Sequence, residues 1–288
     1  MTSFRDDSEG QLTRRDFLRS TTMAAGLCLI GCSTTPAQSP NVPISNALED
    51  PAVIHGQVTF PSGDEVIDGY LAHPKAKGKY PAVLVIAGNK ISDAYIRNTT
   101  AMLAQSGFVG LAPNIFSLQN DSMSAEEKRS VFVNKITDER IFRDLQAGID
   151  YLRKQSFVAR RPMGVMGFCF GGRCALMLAA RSKEIGAVVP FYGNLKTPAF
   201  ANRAIDPVDV VKQIKAPTQG HYAKDDQEIP ADQLQKFADQ LRAQKAPVEI
   251  FTYEARHGFF AYDRSSYDAA AARLAWTRTT AFLKRFLK

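Results

Sequence analysis

The chain has 288 residues, 45% of them apolar and 23% charged, which suits one large α/β domain or two small ones with a full core. Its formal net charge is +7, a mild basic balance that favours anionic substrates or anionic lipid headgroups. No Lys/Arg run and no interleaved aromatic stripe accompanies that charge, so no nucleic-acid partner is expected.

The N-terminus reads as a targeting segment. TRRDFLR, Thr13 to Arg19, precedes the short apolar run TTMAAGLCLIGC. A basic region, about a dozen apolar residues and then small residues make an export signal, too short for a spanning helix of roughly 20 residues. Arg14 and Arg15 followed by Phe17 and Leu18 look like a twin-arginine signal, with the twin-arginine export machinery as partner. LIGC, Leu29 to Cys32, resembles a lipobox, which makes residues 1–31 the signal and Cys32 an acylated membrane anchor in the periplasm or cell envelope; cleavage after TPA, Thr35 to Ala37, is the soluble alternative. The Ser-, Thr- and Pro-rich residues 32–50 read as a solvated tether. Cys28 and Cys32 belong to this leader. Cys169 and Cys174 remain in the domain, five apart across a turn and into a helix, a poor geometry for a disulfide.

From residue 51 to residue 288 the pattern is one domain of alternating strands and helices. HGQVTF and VIDGYLAHP predict strands about the turn PSGDE. PAVLVIAG and FVGLAPN are continuous apolar runs, as in strands buried on both faces, and the helix YIRNTTAMLAQSG between them closes at Gly107. Ser117 to Lys135 is a polar insertion suited to a lid or rim. A helix follows with Thr137 as N-cap and Ile141, Leu145, Ile149 and Leu152 on one apolar face. Strands MGVMGF, IGAVVPFYG, APTQGHYAKDD and VEIFTYEA, helices opening at GGRCALMLAA and ADQLQKFADQLRAQ, and a long helix from Tyr267 to Leu287 complete the chain. Repeated strand–helix units imply an α/β fold, a mainly parallel central sheet with helices on both faces.

Sites in such sheets form beyond the C-terminal ends of parallel strands. GFCFGG, Gly167 to Gly172, has the glycine spacing of a nucleophile elbow, with Cys169 at its centre and at the start of a helix, where the dipole favours a thiolate. Asp226 follows the strand PTQGHYA and His257 follows VEIFTYEA, in the order nucleophile, acid, histidine of the α/β-hydrolases. Asp225 is the rival acid. Among the other histidines, His55 and His73 sit in the N-terminal strands, and His221 is ambiguous but expected on a strand. Backbone N–H groups of Phe170 and Asn89 are the natural oxyanion hole. No metal-ligand spacing, Walker loop or dinucleotide fingerprint appears, so no metal or cofactor is expected.

These pieces together resemble the dienelactone hydrolase family, the cysteine branch of the α/β-hydrolase fold. GYLAHP, YPAVLVIAGN, GFVGLAPN, GFCFGG, FYG, DQEIP and HGFF carry the resemblance over nearly all of 53–288. It implies hydrolysis of ester or lactone bonds in a small substrate by Cys169, Asp226 and His257. Arg97, Arg173, Tyr192 and Arg256 are the candidate substrate-binding residues. The chain also departs from the family: a glutamate usual beside the nucleophile is Gly88 here, and the usual APD is APN at Asn114. The alternative is a non-catalytic ligand-binding member of the same fold. Thiol redox sensing is a third reading, weakened by the expected burial of Cys174.

Overall fold

A computed structural model describes residues 43–88, 94–197, 201 and 203–287, within the compact unit Ser39–Lys288. Strands β1 (Val53–Ser62) and β2 (Glu65–Pro74) form an antiparallel hairpin with Ser62 opposite Glu65. The remaining strands are β3 (Ala82–Ile86), β4 (Val109–Pro113), β5 (Met163–Phe168), β6 (Ile185–Phe191), β7 (Thr218–Asp225) and β8 (Val248–Arg256). Their order is β1-β2-β4-β3-β5-β6-β7-β8. β2 pairs β4 antiparallel, and every pair from β4 to β8 is parallel. β3, β4 and β5 are buried at every residue, which explains their unbroken apolar runs.

The helices are α1 (Ala94–Gln105), α2 (Ala125–Asn134), α3 (Asp138–Arg153), α4 (Phe170–Arg181), α5 (Pro207–Val210), α6 (Ala231–Arg242) and α7 (Ala269–Phe286). Thr137 caps α3, its hydroxyl accepting from the Arg140 amide. The Ile141, Leu145, Ile149 and Leu152 stripe is wholly buried, as its spacing requires. α1 ends at Gln105, and Gly107, with φ +86, turns the chain just beyond it. From β3, α1 steps back to β4; from β4 and β5, α3 and α4 step forward to β5 and β6. Right-handed crossovers of opposite direction lie on opposite faces, so α1 covers one face and α3 and α4 the other. α7 joins α1, since Trp276 packs against the cluster that holds Ala101, Met102 and Ala104.

The connections diverge between β3 and β5, which makes the crevice beyond their C-terminal ends the switch point where ligands bind. Gly88 follows β3 there and Cys169 follows β5.

Two expectations meet limits here. The signal, Cys32 and Asn89 lie outside the described residues. The tether expected to be solvated through residue 50 is docked at its end. Ala47 is fully buried in a short 3-10 turn, Ala47–Glu49, and the Asn98 side chain accepts from the Ala47 amide and donates to the Ser45 carbonyl. Polar composition concealed this because Ile44, Ala47 and Leu48 alone supply the apolar contact. No helix among the described residues is long and apolar enough to cross a membrane.

Candidate active site

Cys169 sits between β5 and α4 with φ 53 and ψ −121, a conformation that side-chain-bearing residues rarely adopt. It is held by the chain on both sides. Its amide donates to Phe191 O at 3.0 Å, and its carbonyl accepts from Gly172 N at 2.9 Å. A Cβ on Gly167 would lie 2.1 Å from the Gly171 carbonyl oxygen, so the turn closes only with glycine there. Phe170 supplies the first N–H of α4, one of the amides a helix start leaves without an intrahelical acceptor.

Asp226, the first residue beyond β7, is buried and faces His257 from the loop after β8. His257 Nδ1 lies 2.9 Å from Asp226 Oδ2 and 3.1 Å from Oδ1. The amides of Glu228 and Ile229 donate to Asp226 Oδ1 and hold the carboxylate in place. Asp225 is exposed at the end of β7 and is not the partner. The Cys169 thiol, one imidazole nitrogen of His257 and a carboxylate oxygen of Glu228 all lie within 4.8 Å of one another.

Glu228 and Asn194 are the groups that sequence reasoning missed. The thiol donates to Asn194 Oδ1 at 3.7 Å, Asn194 Nδ2 donates to Glu228 Oε2 at 3.0 Å, and Glu228 Oε1 stands 3.6 Å from His257 Nε2. The signal for both was present: Glu228 is in DQEIP, two residues past Asp226, and Asn194 follows β6 at the end of the sheet where sites form. Cys, His and Glu are also donors that zinc accepts. An ion held by Sγ and imidazole would occupy the atoms that nucleophilic chemistry needs.

Burial pulls the His257 pKa down, but Asp226 and the Cys169 sulfur more than offset it and carry it to about 10. The imidazolium is thus stabilised between two partners. Cys174 is fully buried, and its thiol is pushed up to about 12, mainly by desolvation; both cysteines are unpaired. His221 lies inside β7, bonded to Tyr253, Gln219 and Thr279, and burial, with Arg278 nearby, lowers it to about 3. It is a neutral core histidine.

The dienelactone hydrolase family profile matches residues 67–287. This chain belongs to the dienelactone hydrolase family. A Methylorubrum extorquens protein named by inference as a carboxymethylenebutenolidase is 29% identical over 99% of each chain. A Bradyrhizobium protein, named by inference as a 2-oxo-3-(5-oxofuran-2-ylidene)propanoate lactonase, is 33% identical over 75% of this chain and 88% of its own. The crystal structure of a Klebsiella pneumoniae protein, assigned by inference as a dienelactone hydrolase, superposes with a TM-score of 0.75. It is 31% identical and covers 82% of this chain and 100% of its own. The chain is therefore an α/β protein and a hydrolase of the dienelactone hydrolase family.

In this family member the cleft divides at Cys169. A cavity of about 370 Å³ is lined by Phe116, Lys128, Arg129, Phe132 and Phe170, among others. A second, of about 190 Å³, includes Tyr95, Tyr192, His257, Arg264 and Ser266. The polar insertion forms a wall of the larger one through α2, whose capping box joins Ser124 and Glu127. Of the candidate substrate-binding residues only Tyr192 reaches the cleft, its ring centroid 4.9 Å from that of His257.

The three arginines do not line either cavity. Arg97 lies over the Tyr70 ring, and Arg256 is exposed and donates to the Ser265 carbonyl. Arg173 is fully buried and bidentate to Asp138 at 2.9 and 2.8 Å. It was a misleading candidate because the first ten residues of α4 are all buried, so proximity to Cys169 in sequence points it inward.

Proposed function

We propose that this protein hydrolyses ester or lactone bonds of a small substrate through Cys169, His257 and Asp226. The observation that carries the reading is the Asp226-held imidazole beside a thiol raised on a positive-φ elbow. In this reading Sγ turns from Asn194 to the His257 imidazolium and pairs with it as the thiolate, the proton on His257 Nε2 being the one the thiol has given up. Sγ attacks the carbonyl carbon, and the oxyanion forms against the Phe170 amide, with Asn89 as the second donor. His257 protonates the leaving alkoxide as the C–O bond breaks, leaving a thioester. His257 then takes a proton from water, whose oxygen attacks the thioester and releases the carboxylic acid and thiol.

Loss of Cys169 as a neighbouring charge after acylation lowers the His257 pKa, which suits it to act as base in that second half. Glu228 supplies a carboxylate on the Nε2 side, in a site whose family glutamate position is Gly88. Lys128 and Arg129 line the larger cavity, where none of the three candidate arginines does. The export signal and Cys32 anchor extend the reading to a membrane-tethered protein of the cell envelope. The test is p-nitrophenyl acetate turnover by wild type and Cys169→Ala. We expect a loss of at least about 10³-fold, with iodoacetamide labelling Cys169 ahead of Cys174. Undiminished turnover in the variant would overturn the triad, and a wild type that cleaves no activated ester would favour a binding protein.

A further inference from the structure

The two cavities meet at Gly88, Cys169 and Glu228, and we infer that they sort the two halves of the substrate: an aryl-sized apolar acyl group enters the phenylalanine-lined cavity, and a small polar alkoxide leaves through the His257 cavity. This rests on the hydrolase reading above. The leaving oxygen and the acyl substituent diverge from one carbon in the tetrahedral adduct. Only the oxygen needs a proton from His257, and among the described residues His257 lines the smaller cavity and not the larger. The alcohol half is thereby directed to about 190 Å³, and the acyl half to about 370 Å³.

The two spaces differ in chemistry as well as size. In the larger one the Phe132 and Phe170 rings meet edge to face with centroids 5.0 Å apart, and Phe116 lies 6.3 Å from each. Arg203 stacks on Phe132 and Phe170 at 4.7 and 5.3 Å and donates to the Ile136 and Phe132 carbonyls, which fixes this aromatic wall to the start of α3. A planar apolar acyl group finds edge and face partners there. The smaller cavity has Arg264, Ser266 and two tyrosines about His257, partners for a hydroxylated leaving group. When Sγ bonds the acyl carbon and the C–O bond breaks, the His257 proton passes to the alkoxide in that cavity, and water re-enters by the same side to release the acid.

Methyl phenylacetate and benzyl acetate test the assignment, being isomers with the ring on the acyl side or on the alcohol side. kcat/KM is measured for each with the full-length protein and divided by the ester's alkaline hydrolysis rate, with p-nitrophenyl acetate as control. We expect methyl phenylacetate to be preferred by about ten-fold or more, and Phe132→Ala to bring the ratio towards one. Both constants come from one preparation, so the ratio does not depend on the folded fraction; Phe132→Leu serves if the alanine variant does not fold. An equal or reversed preference, or a ratio that neither Phe132 variant moves, overturns the inference, while turnover of the nitrophenyl ester preserves the hydrolase reading. A wild type that cleaves none of the three esters overturns both.

Discussion

Cys169 owes its position to backbone bonds and close glycine contacts, so its side chain remains available for chemistry. Gly88 belongs to the same packing. A Cβ there would stand 2.9 Å from the Phe168 carbonyl oxygen and 3.1 Å from Cys169 Cβ. The end of β3 thus packs directly against the elbow, with no room for a larger side chain at this position. Glu228 places a carboxylate in the site from another loop, bonded to Asn194 and facing His257. We predict that Gly88→Ala displaces the elbow, costs about 1–3 kcal/mol by overpacking, and slows turnover. Denaturant midpoints and ester kinetics check this; an alanine variant as stable and active as wild type would refute it.

The start of α4 shows how one element serves both structure and site. Its first residue, Phe170, lines the larger cavity, while Arg173, one turn on, anchors the helix to Asp138 at the start of α3. Arg203 approaches the same carboxylate at 3.7 Å, and Arg173 also donates to the Ile205 carbonyl. Removing one member of a buried pair leaves a desolvated charge, so Arg173→Met should destabilise by about 3 kcal/mol. Arg173→Lys, which keeps a positive charge facing Asp138 and Asp206, should lose less than Arg173→Met. Urea denaturation of both proteins measures it, and a lysine variant less stable than Arg173→Met would contradict the assignment. The pair was invisible in the sequence because the partners are 35 residues apart and meet only when α3 and α4 pack on one face of the sheet.

Two histidines set opposite limits on the stability of the folded chain. His257 is raised to about 10, against burial, by Asp226 and Cys169. Its folded state binds the proton more tightly than the unfolded chain, whose histidine titrates at about 6.5. That contribution is complete below about 6.5 and is lost as pH rises towards 10. His221 is lowered to about 3 by burial, aided by Arg278. Unfolded chain takes up its proton below about 6.5 while the folded chain does not, so stability is lost as pH falls towards 3. Denaturation midpoints against pH should trace a dome, and His257→Gln should flatten its alkaline limb while leaving the acid limb. An alkaline limb that persists unchanged in that variant would show that His257 does not carry it.

Local pattern determined much of this protein. Apolar runs specified the buried strands, periodicity specified the face of α3, and the glycines about Cys169 specified an elbow whose backbone angles follow from steric necessity. Chain order also singled out Asp226 and His257, because a parallel sheet delivers successive loop residues to one edge. What tertiary packing alone decided were contacts between loops distant in sequence. The docking of Ser45 and Ala47 on Asn98, the inward turn of Arg173, and the bond from Asn194 to Glu228 each join such residues. Charge and composition report that a side chain is basic or acidic. Whether it meets a substrate, a buried partner or solvent is set by the path of the other strands and helices around it.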